Sequence, residues 1–239
     1  MFHNKEQIDA AQCVRVLLAA TSSSEPHHLF QPYDATELIK ILQENKQVSK
    51  DDLYKVEWAY LPILYGRSHH GEIRPKLLEN RLANEPDFFC EVVRVIYRSK
   101  HIDIPDRKFS EQEKNIAENA WRLLHNWRTL PGMQEDGSFD GTHFSSWLKQ
   151  VKELSTKSGH LDVALRRIGE VLIHCPPDPN GLWINLTVAA ALNAQDTSEL
   201  RSGFYTKTIN SRGFHEIDPT GKTERELAIK YRQQADDVE

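Results

Sequence analysis

The segment "DPTGKTERELAIKYR", residues 218–232, holds the triplet Gly221-Lys222-Thr223 ahead of a helical pattern. A nucleotide-binding P-loop ends in the same way. Its chemistry needs a further glycine five residues before the second one, so that consecutive backbone N–H groups can cradle phosphate oxygens. That position is Glu216, a carboxylate where the anion would sit. The preceding stretch "FYTKTIN" also lacks the buried apolar strand that feeds such a loop. Asp218-Pro219-Thr220-Gly221 has instead the composition of a type I turn. Thr223 with Glu226 three residues on has the pattern of a capping box. The segment is therefore expected to start a helix, with no nucleotide cofactor.

A second pattern pairs an arginine with a histidine six intervening residues away. Arg167–His174 and Arg94–His101 both fit, and both resemble the R-x(4–6)-H signature of helical ribonucleases of the HEPN superfamily. The resemblance implies an arginine and a histidine sharing one helix face as the catalytic pair. Arg167 and His174 form the better candidate, because His101 falls beyond the expected end of its helix. Chance alone places about as many such pairs among the arginines and histidines of this chain.

The 11 histidines otherwise occur singly or as the neighbours His27-His28 and His69-His70. Adjacent side chains on a helix or strand point apart, and no histidine pair has i, i+4 spacing or joins a Cys-x-x-Cys. No metal site is expected. Cys13, Cys90 and Cys175 lie far apart in apolar stretches and read as buried thiols. No Gly-x-Ser-x-Gly occurs. The densest remaining chemistry is "ELRSGFYTKTINSRGFHEIDPTGK", where Arg201, Lys207, Arg212 and Lys222 interleave with Phe204, Tyr205, Phe214 and His215. Arg201, Arg212, His215 and Lys222 are the candidates for binding an anionic group or an acidic partner. Gly203 and Gly213 mark places where a side chain would not fit. The alternative is that the aromatics fill the core and the cations are solvated.

The elements that must carry these residues are helical. Apolar residues recur at threes and fours in 5–20 (Ile8, Ala11, Val14, Leu18), and Asp34 suits the N-cap of the next helix, with Leu38, Ile41 and Leu42 on one face. Residues 50–65 carry Leu53, Val56, Tyr60, Leu61 and Leu64 on one stripe, with Pro62 predicting a kink. Pro75 and Pro86 open two further helices, the second broad in apolar surface (Phe88, Phe89, Val92, Val93, Ile96). Ser110 and Glu113 predict a capping box before a helix lined by Ile116, Ala120, Leu123, Leu124 and Trp127. Helices are expected again at 143–155, 161–174, 183–194, 197–209 and 223–239. Trp58, Leu61, Phe89, Val92, Leu124 and Trp127 are expected in the core.

No run shows strand alternation between turn signals, so the fold class is all-α. About eleven antiparallel helices would form an irregular multi-helix array or bundle, with an α-solenoid as one form of it. Residues 1–130 are expected to form an N-terminal helical region and 142–239 a C-terminal one. The Pro/Gly/Asp-rich stretch 131–141 would serve as linker or surface loop.

A chain of 239 residues with 39% hydrophobic and 27% charged content suits a globular protein with a sizeable core. The net charge of −5 supplies no broad positive field to hold a nucleic acid, and none is expected as a partner. No apolar run is long enough for a bilayer, and the N-terminus lacks a secretory pattern, which points to the cytoplasm. The last helix ends in acidic "DDVE" with no capping glycine. It reads either as a frayed terminus or as the cut end of a longer chain.

The phrases "VEWAYLPILYG", "LANEPDFFCEVVRVIYRSK" and "SGFYTKTINSRGFHEIDPTGKTERELAIKYRQQA" resemble C-terminal helical regions of very large bacterial multidomain proteins. The resemblance covers about half the chain and implies an accessory helical region beside another module. It transfers no functional residue. Two expectations follow: a non-catalytic helical interaction or scaffold module that binds another protein or another domain, or a HEPN-type ribonuclease using Arg167 and His174.

Overall fold

The structure is a computed structural model of the whole chain and describes residues 9–21, 31–66, 73–101, 108–211 and 220–236. Helix makes up 72% of the described residues. The strand-like pairing among them is one isolated antiparallel bridge, Met133 to Phe139, so the protein is all-α. The helices are α1 (Ala10–Thr21), α2 (Pro32–Glu44), α3 (Lys50–Ala59), α4 (Leu61–Leu64), α5 (Lys76–Asn84), α6 (Pro86–Ile96), α7 (Glu111–Asn126), α8 (Gly141–Ser158), α9 (Leu161–Val171), α10 (Leu186–Asn193), α11 (Ser198–Asn210) and α12 (Lys222–Asp236). A single 3-10 turn, Leu172–His174, continues α9.

The chain forms two compact units, and the division differs from one placed at 131–141. The first unit comprises Met1–Leu82 with Arg107–Trp127; the second comprises Ala83–Asp106 with Arg128–Glu239. Residues 131–141 are a folded entry to α8 inside the second unit. Gln134 N–H donates to Ser138 O (2.9 Å) and Asp140 N–H to Gly132 O (2.8 Å), while Phe139 tilts onto the buried Phe144 at 5.8 Å. Gly132 and Gly137 supply the positive φ angles that this tight reversal requires.

In the first unit, Val14 and Leu17 of α1, Leu38, Ile39 and Leu42 of α2, Val56 of α3 and Tyr60 just past its end form one apolar cluster. Tyr60 also donates its hydroxyl to Leu17 O (3.0 Å), which satisfies a buried polar atom. The stripe of α1 is rotated from the expected one: Ala11 is exposed and Leu17 is fully buried. In α2, Ile39 is buried and Ile41 only half-buried. Helix α2 begins at Pro32 after Gln31, so Asp34 lies in its first turn and is not the N-cap. Proline at N1 suits the fixed φ of a first helical residue and starts the helix earlier.

The expected kink at Pro62 is a full break. α3 stops at Ala59, Tyr60 takes φ −101° and ψ 9°, and Pro62 sits at the start of α4. This break raises the helix number from about eleven to 12 among the described residues. Ser110 caps α7 with both bonds of the box: its hydroxyl accepts from Glu113 N–H (3.2 Å), and Glu113 Oε2 accepts from Ser110 N–H (2.9 Å). Ala120, Leu123 and Leu124 of that helix and Trp127 at its C-cap are buried, but Ile116 is exposed. Trp58 is only half-buried, stacked on Tyr54; the neighbouring Glu57 takes the buried place.

In the second unit, α6 packs on α8 through Phe89 and Trp147, edge to face at 5.2 Å. Asp140 caps α8 by accepting from Thr142 and His143 N–H. Gly159 closes the helix in the left-handed region, with His160 N–H returning to Ser155 O (2.8 Å). α9 and α11 cross backbone to backbone. A Cβ added to Gly203 would lie 2.8 Å from the carbonyl carbon of Arg166, and one added to Gly169 would lie 2.8 Å from Phe204 N. Gly203 thus stands where the sequence suggested a close approach.

Candidate functional site

The residues of the opening segment do not build a phosphate cradle. α12 starts at Lys222, with Gly221 as its cap: Gly221 O accepts the first helical bond, from Arg225 N–H at 3.1 Å. Thr223 is consequently the second helical residue, and the expected capping box with Glu226 does not form. Glycine at the cap, at φ +64°, moves the start one residue ahead of the threonine. Lys222 is exposed, 3.8 Å from Glu226 one turn along. Arg225 folds back so that its guanidinium donates to Thr220 O (2.8 Å).

Arg201 has a structural position. Its Nη1 donates to the carbonyls of Leu192 (2.7 Å) and Ala194 (2.8 Å), so it satisfies the last carbonyls of α10. Phe204 tilts against Trp183 at 6.1 Å, and the next residue, Tyr205, stands exposed. Arg212, Gly213, Phe214 and His215 lie outside the described residues, as do His27, His28, His69 and His70. Of the described members of the basic–aromatic segment, Arg201, Phe204 and Lys222 each have a local partner of their own.

Arg167 is held by its own helix and by α6's exit. Its Nη1 donates to both Glu170 carboxylate oxygens (2.7 and 2.9 Å), its Nε donates to Tyr97 Oη (2.8 Å), and its plane lies 5.7 Å from the Tyr97 ring. His174 ends the 3-10 turn, which advances about 120° per residue rather than 100° and so turns His174 away from an ideal i, i+7 alignment. In the second pair, Arg94 is exposed in α6 and His101 lies past its end, with Nε2 3.3 Å from Thr156 O. Among the described residues no group of three His, Cys, Asp or Glu could hold a metal ion. The three cysteines are unpaired, and burial raises each thiol pKa, Cys175 to about 11. Only Cys90 is fully buried.

Two other features emerge. In the second unit, α8 and α10 flank an open groove of about 480 Å³. Phe144, Leu148, Ala190 and Ala191 supply its apolar floor and walls; Lys149 and Glu153 stand at its edge. Lys152 at the same edge pairs with Asp196. The close approach of the two helices is permitted by small residues: a Cβ on Gly141 would meet Thr187.

The first unit contains a buried acid cluster. Glu57 is 0% exposed. Its carboxylate accepts from Leu77 N–H (3.2 Å) and Leu78 N–H (2.9 Å) at the start of α5, and from Gln43 Nε2 (2.7 Å). Glu79, also 0% exposed, accepts from Tyr65 Oη (2.8 Å) and from the Arg74 guanidinium through both Nε and Nη2. Burial pushes the Glu57 carboxyl up to about 7, against the opposing pull of its hydrogen-bond donors. Burial, then the neighbouring Glu79 charge, also pushes the Tyr65 phenol up. Sequence reasoning placed only apolar residues on this face, yet Glu57 has the spacing of the stripe: four after Leu53 and seven before Leu64. A carboxylate at a buried helical register was the available signal.

Comparison with protein families, with curated proteins and with solved structures finds no match to this chain.

Proposed function

We propose that this chain is a non-catalytic helical interaction or scaffold module, working in the cytoplasm as part of a larger bacterial protein. The observation that carries the reading is the groove between α8 and α10. Its size lies within the range of sites that take a few side chains. Its apolar walls with a charged edge suit a partner helix that inserts one apolar stripe. Small side chains at Ala190 and Ala191 leave room for the partner's larger ones. Among the described residues no helix is long and apolar enough to cross a membrane.

The test is photo-crosslinking from a probe residue at position 149, on the groove edge, in full-length protein, with Ala190→Arg introduced into the same probe-bearing chain to block the groove. One discrete crosslinked partner, lost in Ala190→Arg while the melting temperature is retained, supports the module. No groove-dependent crosslink in native cells counts against it. The ribonuclease alternative is addressed separately by incubation with RNA: cleavage abolished by His174→Ala would replace the present reading. The ties of Arg167 to Glu170 and Tyr97 favour the opposite result.

A further inference from the structure

Beside the groove of the second unit runs a ridge. The stretch 181–195, "GLWINLTVAAALNAQ", holds no charged residue, and α10 within it is apolar on most sides. Val188, Ala189 and Leu192 are buried, yet Leu186 is 49% exposed, and Ala190 and Asn193 are exposed as well. Spaced i, i+4 and i+7, these three share one face of the helix. A helix that is apolar all round belongs in a buried place. We infer that a second copy of this chain covers it: α10 of each copy lies in the α8–α10 groove of the other, with the two α10 helices antiparallel about a two-fold axis at Ala190. The inference rests on the reading of the groove as a docking site for a helix, and it names the helix.

The chemistry along the groove selects that orientation. α8 and α10 run in the same direction, because Gly141 lies against Thr187 at their starts and Lys152 pairs with Asp196 farther on. The groove is therefore polar towards one end, at Thr187, and apolar towards the other, at Leu148 and Ala191. Antiparallel pairing about Ala190 sets Leu186 level with Ala194 of the other copy, and Asn193 level with its Thr187. The incoming Leu186 then falls on the Leu148–Ala191 end, and the incoming Asn193 amide meets the Thr187 hydroxyl. A parallel copy would press leucine on threonine and bury the asparagine amide against apolar walls, which is costly. Glu153 at the groove edge stands beyond the first turn of the incoming helix, where its backbone N–H groups carry partial positive charge.

A second copy also accounts for both surfaces at once. A foreign helix would fill the groove and leave the Leu186–Ala190–Asn193 ridge to water. An occupant that brings its own groove covers the ridge in return, because an isologous contact repeats every interaction across the axis. The result is a four-helix layer in the order α8, α10, α10 and α8, closed at two copies. Where the two α10 helices cross, alanine meets alanine, and the small side chains let the backbones approach.

Sedimentation equilibrium of the full chain up to about 100 μM measures the dimer constant. The wild type should dimerise, and Leu186→Asp should weaken the dimer by roughly 10²-fold, since the contact occurs twice in each dimer. A monomeric wild type, or a dimer unmoved by Leu186→Asp, overturns the inference. Mild oxidation tests the axis with smaller substitutions. Ala190→Cys should link two copies through residue 190, because a disulfide forms only where the two Cα atoms approach within about 7 Å. Asn193→Cys should link to Thr187→Cys in a mixture of the two variants and not to itself. Wild-type protein, which keeps Cys13, Cys90 and Cys175, is the control and should stay unlinked. No link at 190 beyond that control, or Asn193→Cys linking to itself, overturns the two-fold at Ala190. The photo-crosslink from position 149 separates this inference from the reading beneath it. A product joining two copies of this chain supports both. A groove-dependent product with a different protein overturns the second copy and leaves the docking groove standing, and no groove-dependent product overturns both.

Discussion

Gly203→Ala and Gly169→Ala place a methyl group into the close backbone crossing of α9 and α11 in the second unit. At Gly203 the new Cβ would meet the Arg166 carbonyl, with the carbonyl carbon at 2.8 Å. Carbon atoms rest at about 3.5–4.0 Å, so α9 and α11 must part by on the order of 1 Å. Neither side can yield by rotating a side chain, because the obstacle is helix backbone. Overpacking of this kind costs about 1–3 kcal/mol, and backbone on both sides argues for the upper end. Alanine returns about 1 kcal/mol through its better helix propensity. The net expectation is a loss of about 2 kcal/mol for each single substitution. Parting the helices also strips contact from Ile168 and Leu200, which are both 0% exposed. The double substitution should cost less than the sum of the singles, because helices already parted for one methyl have room for the other. Urea unfolding followed by circular dichroism gives the magnitudes, and hydrogen exchange in α9 and α11 locates the loss. Ser202→Ala, exposed on α11, controls for propensity alone and should stay within about 0.5 kcal/mol. Singles below about 0.5 kcal/mol, or a strictly additive double, would refute the argument that this crossing depends on two glycines.

Phe89→Ala removes a fully buried ring packed on Trp147 and should cost about 3–5 kcal/mol in urea unfolding. Ser110→Ala removes the side-chain half of a formed capping box and should cost about 0.5–2 kcal/mol. Thr223→Ala, inside α12, should change stability by less than about 0.5 kcal/mol; the reverse ranking of these two would mean that the start of α12 is misplaced. Wild-type protein and Lys222→Ala should give the same melting temperature with and without ATP and magnesium. A nucleotide-dependent shift lost in Lys222→Ala would restore the phosphate-loop reading.

The all-α class was legible because period-3.6 stripes and proline starts are local and repeat along the chain. The Ser110–Glu113 box was legible for the same reason: every atom it needs lies within four residues. Phases within stripes were harder to read, as Ala11 and Ile116 show, since an apolar residue at the edge of a stripe is buried only if a neighbour reaches it. Start sites two or three residues apart were also ambiguous. Gly221 and Pro32 each began a helix ahead of the polar residue expected to cap it, at Thr223 and Asp34, because a favourable backbone geometry outranked a capping side chain. The local engagement of Arg201 and Arg167 could not be read from spacing, because Leu192, Ala194 and Tyr97 come from other turns or elements. Glu57 is the most instructive case. Its register announces burial, and its chemistry resists it. The conflict is resolved only by long-range partners: the amides of α5, supplied some 20 residues later, and Gln43 from the preceding helix. A charged residue in an apolar register is thus a local inconsistency that tertiary structure must answer. Among the described residues that answer is three uncharged donors, each from outside α3, so the burial of Glu57 is settled by residues that its own helix does not contain.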